Sequence, residues 1–337
     1  MTTPLARVPW IDIAKGVAIT LVVVHHALQF LGAYGWSPGP LYRADAGLTT
    51  MRMPLFFAVS GLLAANGVRT FSWASLWQRR MLLLVYLYVL WGLVRAIWFS
   101  FVPWPLGELD PWMQLLISPI QPWSGLWYLY ALALYMALAW VIRSLPAWLQ
   151  LSAGAVISAL FASGFIQLGV GYTWRSIGTY FFFFLLGIHA RGLILRFAER
   201  VTWLTGLGVL LGYGLLAVGI VFVPQPLRWI PTLPVAVLGV AAGVALAALL
   251  AKSGILGRGF GAIGMRTLPV YVMHVLVISA LAPLLPTGIV PTLIAAPLLA
   301  AVAIAACLGI YAVAARVPGL FTLPPGLARR PAEASGG

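Results

Sequence analysis

Two adjacent histidines, His25 and His26, lie in the apolar run DIAKGVAITLVVVHHALQF, which spans residues 12–30. If this run is a helix, Lys15 and His26 share a face, because a separation of eleven residues makes about three turns. Asp12 precedes Lys15 on the same stripe, whereas His25 points about 100° away. Ionisable side chains in membrane helices face the protein interior rather than lipid. The stripe therefore predicts a polar helix face inside a helix bundle.

The chemistry that such a stripe supports is proton transfer. An imidazole titrates near neutral pH, and its neutral form is tolerated in a membrane interior. With Asp12 and Lys15 at the cytoplasmic boundary, the helical rise puts His26 about 16 Å deeper, near the middle of the bilayer. The stripe favours a role in proton transfer for His26, with Asp12, Lys15 and His25 as further catalytic candidates, but the spacing alone does not name the reaction. The alternative is a histidine pair that only packs against neighbouring helices.

The composition identifies the class of protein that carries this helix. Of 337 residues, 62% are hydrophobic and 8% are charged, and the mean hydropathy is +1.01. Soluble domains carry about a quarter charged residues, so the chain is predicted to be an integral membrane protein. We predict an all-α, polytopic bundle of about ten transmembrane helices. Ten segments are apolar over about 20 residues: 13–32, 50–66, 81–101, 124–142, 150–170, 177–195, 201–223, 230–250, 267–285 and 290–314.

The remaining segments define the domain organisation. Residues 1–326 are predicted to form one membrane domain, and the polar residues 327–337 a disordered cytoplasmic tail. Segment 112–120 is apolar but too brief to span, so we expect it to be interfacial or re-entrant.

The basic residues orient the bundle, whose net charge is +14. Ten crossings from a cytoplasmic N-terminus leave Arg95 inside the third span and 15 of the 20 lysines and arginines on the cytoplasmic side. This bias predicts cytoplasmic termini in an inner (plasma) membrane, with the lipid bilayer as partner. No basic block alternates with exposed aromatic residues, which argues against nucleic acid. Four basic residues face outside: Arg43, Arg52, Arg175 and Arg228.

Two stretches resemble a known family. The first helix, IDIAKGVAITLVVVHHALQFL, and the following MRMPLFFAVSGLLAA are similar to acyltransferase family 3, polytopic membrane O-acyltransferases that modify glycans and lipids. The opening IDIAKG looks most like the fucose O-acetylase-like branch. Lys15 and His26 match the family's spacing between a basic residue and a catalytic histidine, and Ser60–Gly61 matches its Ser-Gly pair. Further echoes are PLFF (54–57), LWYLYAL (126–132) and VYVMH, which ends at His274.

The resemblance implies transfer of an acyl group, expected to be acetyl, from cytoplasmic acetyl-coenzyme A to a hydroxyl of a glycan or glycolipid outside. We expect His26 to be the general base that deprotonates this hydroxyl. The chain departs from the family in having adjacent Arg79 and Arg80 where the family has arginines two residues apart. The residues implied to contact the donor are Lys15, Arg79, Arg80 and Ser60. We expect the acceptor to be contacted by Arg52, Trp127, Tyr128 and His274.

Plainer interpretations stay open for several of these residues. Arg79 and Arg80 would also serve as topology anchors, and Trp127 and Tyr128 as part of an interfacial aromatic belt. His274 would also serve as a packing residue.

Other charged residues have alternatives of their own. An Arg43–Asp45 pair at the surface is the simpler expectation for the first outer loop. Arg95 is expected to need a partner, either Asp12 or a substrate group, because an unpaired charge in a membrane is costly.

The competing class is a proton-coupled transporter of a small sugar or organic acid, which would use the Asp12, Lys15 and His26 stripe. We expect no metal site, because the four histidines are scattered and Cys307 has no ligand neighbour in the sequence. A homodimer is compatible with this organisation.

Overall fold

The computed structural model describes residues 8–37, 39–107, 110–122, 125–169, 172–287 and 290–327. In this part of the chain every regular element is helical. Short 3-10 turns lie at Ile220–Phe222, Gln225–Leu227 and Ala282–Leu284. The helices are α1 Pro9–Ala33, α2 Pro40–Thr70, α3 Trp73–Phe99, α4 Pro111–Ile117, α5 Trp127–Val141, α6 Ala147–Ser163, α7 Thr173–His189, α8 Arg191–Arg200, α9 Trp203–Gly219, α10 Trp229–Lys252, α11 Gly254–Met265, α12 Thr267–Leu281 and α13 Thr292–Ala314.

Within the described residues, seven helices are long and apolar enough to cross a membrane: α1, α2, α3, α9, α10, α12 and α13. An eighth crossing results if α7 and α8, which are bent by 75°, form one span. α5 and α6 are apolar but have only 15 and 17 residues, fewer than the roughly 20 that cross a bilayer. The all-α polytopic membrane bundle is confirmed. The count of ten crossings, which needs α5, α6 and the α7–α8 pair, stays a prediction.

The segment expected to be interfacial or re-entrant forms the short helix α4. Asp110 caps this helix by accepting hydrogen bonds from the backbone N–H groups of Trp112 and Met113. Its seven residues extend about 10 Å, so α4 cannot span a bilayer. It packs against α3.

The chain turns back on the bundle after α13. The indole of Trp91 in α3 donates a hydrogen bond to the carbonyl of Leu320 at 3.0 Å, and Phe321 packs against Trp91 and Tyr311. Of the predicted tail 327–337, residues 328–337 lie outside the described residues.

Glycines allow α2 and α7 to approach closely. A Cβ atom at Gly61 would collide with the backbone carbonyl of Phe184, and one at Gly187 would collide with the carbonyl of Ala58. Small residues at helix crossings let membrane helices gain packing contacts that lipid does not otherwise favour. The glycine of the Ser60–Gly61 pair therefore has a packing role in this bundle.

α2 also carries a proline inside the helix, Pro54. Because proline has no N–H, the carbonyl of Thr50 loses its helical partner. That carbonyl faces Gly239 of α10, where an added Cβ atom would lie 2.5 Å from it. The PLFF sequence thus begins at a point where α2 is loosened and α10 comes close.

Candidate active site

Helices α1, α2, α7 and α12 and the start of α5 surround a cavity of about 220 Å³, which we call the His26 cavity. It lies nearer the end of the bundle where α1 stops and α2 begins, which we call the outer end after the expected topology. Five predicted site residues line it: His25, His26, Arg52, Trp127 and Tyr128. Other polar residues of the lining are Gln29, Thr49, Tyr172, Ser176, Tyr180 and Tyr271.

The hydrogen bonds of His26 determine which of its ring nitrogens carries the proton. Its Nδ1 lies 2.9 Å from the carbonyl oxygen of Val22. A carbonyl only accepts, so Nδ1 of the neutral ring must be the N–H and Nε2 must hold the lone pair. Among the described residues, Nε2 of His26 has no hydrogen-bond partner. The ring is therefore poised to accept a proton at Nε2.

His274 supports this arrangement from behind. Its Nδ1 lies 2.8 Å from the carbonyl oxygen of Tyr271 and 3.1 Å from that of Val270, so Nδ1 carries its proton. Its Nε2 is then an acceptor and lies 3.3 Å from Nδ1 of His26. The sequence suggested that His274 contacts the acceptor, but the side chain is fully buried and lies outside the cavity lining. It contacts His26 instead.

Asp45 joins two residues of the lining. Its carboxylate oxygens lie 2.6 Å from Nδ1 of His25 and 2.6 Å from Nη1 of Arg52. Asp45 and Arg52 are both buried. The simpler expectation of a surface pair between Arg43 and Asp45 is therefore wrong, because α2 turns Asp45 inward, where it balances a buried guanidinium.

Ser60 was expected to contact the acyl donor, and in the structure its side chain forms a hydrogen bond with Tyr128. Ser60 Oγ donates to the carbonyl of Phe56 at 2.8 Å and therefore accepts from the hydroxyl of Tyr128 at 2.5 Å. Tyr271 fixes the same turn, since its hydroxyl accepts from the N–H of Tyr128 and donates to the carbonyl of Gly125. No role was predicted for Tyr271 from the sequence, although this residue lies in the VYVMH motif.

Asp12 and Lys15 do not reach the His26 cavity. They form an ion pair of 2.8 Å near the opposite end of α1. Along the helix axis, Lys15 lies about 16 Å and Asp12 about 21 Å from His26. Asp12 lines a separate, open cavity of about 610 Å³ with Lys252 and Arg258. The four catalytic candidates are therefore divided between the two ends of α1.

The bounds of α1 give the position of His26 along this helix, and its depth in the bilayer stays a prediction. α1 continues to Ala33, so His26 is only seven residues, or about 10 Å, from the outer end of this helix. It lies in the outer half of α1 rather than at its middle, because the helix begins at Pro9 and is 25 residues long.

Arg79 and Arg80 lie in a π-helical turn at the start of α3, Trp77–Met81. The guanidinium of Arg79 stacks over the ring of Phe71 at 5.4 Å. Neither arginine lines the His26 cavity or the cavity beside Asp12.

Arg95 is buried near the outer end of α3. Its guanidinium stacks on the rings of Phe99 and Trp104, at 5.3 and 5.6 Å. Arg95 packs next to Gly125, since a Cβ atom added at Gly125 would lie 3.5 Å from Nη1 of Arg95. Gly125 lines the His26 cavity, whereas Arg95 does not. Asp12 was suggested as the partner of Arg95, but it forms an ion pair with Lys15.

Metal ligands do not cluster in the part of the chain that the structure describes: it contains no group of three or more His, Cys, Asp or Glu side chains that could hold an ion. Cys307 is buried in α13.

Comparison with known proteins agrees with the resemblance seen in the motifs. A family model described as an acyltransferase domain, of the acyltransferase 3 type, matches residues 8–312. Nodulation protein NolL of Mesorhizobium japonicum is 28% identical over 201 residues, which cover 58% of this chain and 49% of the relative. The match thus spans about half the length of that curated relative. No solved structure matches the chain. Because the family model covers the bundle from the start of α1 into α13, the protein belongs to the acyltransferase 3 family.

Proposed function

We propose that this protein is a membrane O-acyltransferase, which moves an acyl group, in the simplest case acetyl, from cytoplasmic acyl-coenzyme A to a hydroxyl of a glycan or glycolipid outside. The observation that carries the proposal is that Nε2 of His26 has no hydrogen-bond partner among the described residues and lies in a polar, aromatic cavity. Its Nδ1 forms a hydrogen bond with the carbonyl of Val22 and lies next to Nε2 of His274. In this proposal the protein resides in the inner membrane with both termini in the cytoplasm.

The reaction uses His26 as base and then as acid. Its Nε2 takes the proton of the acceptor hydroxyl while the oxygen attacks the thioester carbonyl. The C–S bond then breaks, and the departing thiolate regains a proton from the imidazolium. Nδ1–H keeps its hydrogen bonds to Val22 and His274 throughout, which stabilises the charge that forms on the ring.

The oxygen of the attacked carbonyl becomes negative during this transfer and needs hydrogen-bond donors. Arg52 and Tyr180 line the same cavity as His26. The guanidinium of Arg52 uses Nη1 for Asp45 and has further N–H groups to offer. Asp45 also bonds Nδ1 of His25, so His25 and Arg52 keep fixed positions around the reacting atoms.

The donor approaches from the cytoplasmic side in this proposal. Lys15, Arg79 and Arg80 are candidates to bind its phosphates, because arginine and lysine both form strong charge-assisted hydrogen bonds to phosphate. The cavity beside Asp12 adds Lys252 and Arg258 as candidates that the sequence did not suggest. From Ile13, which lines that cavity, to His26 the donor's arm must cover about 20 Å along α1.

Purified protein with radiolabelled acetyl-coenzyme A and a panel of glycans tests the proposal. Release of coenzyme A with label on a glycan supports it, and passage of labelled sugar into liposomes without acylation supports the transporter alternative. His26→Ala is expected to lower turnover by about 10²- to 10⁴-fold, the usual contribution of a general base. His189→Ala is the matched control, because His189 does not line this cavity. Its Nε2 forms a hydrogen bond with Oε1 of Gln150 at 2.9 Å. Full activity in the His26 variant would remove His26 from the reaction.

A further inference from the structure

A second cavity of about 480 Å³ lies next to the His26 cavity, toward the outer end of the bundle. The two share Thr49, Ser176 and Tyr180 as lining residues. The second cavity is also lined by Arg175, Arg228 and Thr232, and we call it the outer vestibule. A molecule whose hydroxyl reaches His26 would have its remaining part in this vestibule.

The outer vestibule has an excess of positive charge. Arg175 and Arg228 are two of the four basic residues expected outside, and none of the residues that line the vestibule is Asp or Glu. Neither arginine forms an ion pair with another described residue. The acid of α2, Asp45, is engaged by His25 and Arg52. The two positive charges of the vestibule are therefore not balanced by its own lining.

Backbone contacts hold both guanidinium groups in position without neutralising them. Arg228 donates from Nε to the carbonyl of Val223 and from Nη2 to that of Val221, both at 2.9 Å. Arg175 donates from Nη2 to the carbonyl of Ala162. Each guanidinium has five N–H donors, so each keeps several for a ligand.

We propose that the outer vestibule binds an anionic group, a carboxylate or a phosphate, that the acceptor glycan carries beside the sugar to be acylated. This proposal rests on the proposed function and adds the chemical class of the acceptor. The planar fork of arginine matches carboxylate and phosphate geometry, and the positive potential raises the local concentration of an anionic acceptor. Trp229 and the hydroxyls of Thr49, Ser176 and Thr232 complete a lining suited to a sugar.

A binding experiment that does not need turnover tests this inference. The protein in phosphatidylcholine nanodiscs is titrated with sucrose octasulfate, an anionic sugar, and with sucrose as its neutral counterpart. We expect the wild type to bind the anionic sugar at least about tenfold more tightly than the Arg175→Gln/Arg228→Gln variant does, with an affinity that falls as salt screens the charges. Arg43→Gln, which removes an exposed outer arginine away from the vestibule, should bind as the wild type does.

Further variants separate charge from folding and from catalysis. Arg175→Lys/Arg228→Lys keeps the charge without the fork and should retain part of the affinity, and thermal unfolding of each variant checks the fold. His26→Ala should bind the anionic sugar as the wild type does. Loss of turnover in His26→Ala and loss of binding in the Arg175→Gln/Arg228→Gln variant are therefore independent results. Equal binding by the wild type and the Gln variant, or no binding by the wild type, would overturn the proposal. Loss of binding in nanodiscs that contain phosphatidylglycerol would overturn it in favour of a lipid headgroup.

Discussion

Nε2 of His274 lies 3.3 Å from Nδ1 of His26, although the two residues are 248 positions apart in the chain. Because Nδ1 of His274 is committed to the carbonyls of Val270 and Tyr271, its Nε2 can only accept. The contact therefore supports the one tautomer of His26 that leaves a basic nitrogen for the cavity.

The first prediction concerns this positioning role of His274. His274→Ala should lower kcat about tenfold with little change in KM for the acceptor, because the imidazolium of His26 loses one acceptor but keeps Val22. His274→Gln, whose amide oxygen also accepts, should recover part of the loss. Steady-state kinetics of both variants check this. Equal activities of the Ala and Gln variants would show that His274 only fills space.

The second prediction concerns the carboxylate that bonds both His25 and Arg52. Asp45→Asn should destabilise the protein by about 3–5 kcal/mol, because removing one partner leaves the buried guanidinium of Arg52 uncompensated. The double variant Asp45→Asn/Arg52→Gln should be less affected than the sum of the two single variants. Thermal unfolding in detergent measures all three. Additive losses would mean that the pair contributes no coupling energy.

The third prediction concerns the close crossing of α2 and α7. Gly61→Ala and Gly187→Ala should each reduce the yield of folded protein sharply, since the new Cβ atom collides with the backbone of the facing helix. Gly212→Ala in α9 is the matched control, because no atom lies within 4 Å of its added Cβ atom. Size-exclusion chromatography of the three variants measures folding. Normal yield from both crossing variants would contradict the packing described here.

The fourth prediction separates two roles of Ser60. If Ser60 acts only through the hydroxyl of Tyr128, then Ser60→Ala, Tyr128→Phe and the double variant should show a similar rise in KM for the acceptor. The reason is that one lost hydrogen bond cannot be lost twice. A donor-binding Ser60 would instead raise KM for acyl-coenzyme A in Ser60→Ala alone. Kinetics with each substrate varied in turn distinguish the two outcomes.

The fifth prediction concerns the donor phosphates. Arg79→Gln/Arg80→Gln should raise KM for acyl-coenzyme A by about tenfold or more, because each charge-assisted hydrogen bond to phosphate is worth roughly 1.5–3 kcal/mol. Arg191→Gln/Arg196→Gln, which removes two arginines from α8, controls for the loss of positive charge. An equal rise in KM for acyl-coenzyme A in both double variants would show that Arg79 and Arg80 act only as topology anchors and do not bind the donor.

Local patterns in the sequence were sufficient for the class of fold. The apolar segments near 13–32, 230–250 and 290–314 became α1, α10 and α13, because the cost of burying backbone in lipid forces long apolar runs into helices. The crossings that stay predictions are those of α5 and α6, whose 15 and 17 residues are short for a span, and that of the bent α7–α8 pair. Hydropathy does not report such lengths accurately, since loop residues beside a helix are apolar as well.

Partners of the polar residues depended on the tertiary structure. The sequence identified His25, His26, Arg52, Trp127 and Tyr128 as site candidates, and these line one cavity. It paired Asp45 with Arg43, because the two positions are close in the chain, whereas Asp45 forms its hydrogen bonds with His25 and Arg52.

By itself, the sequence determined that this chain is a polytopic helical membrane protein with a histidine pair on its first helix, since hydropathy and helical periodicity are local properties. Only the tertiary structure decided that His274 lies behind His26 and that Asp45 forms a hydrogen bond with His25. These contacts depend on the rotation and crossing of neighbouring helices. Close approach at residues such as Gly61 and Gly187 sets that geometry.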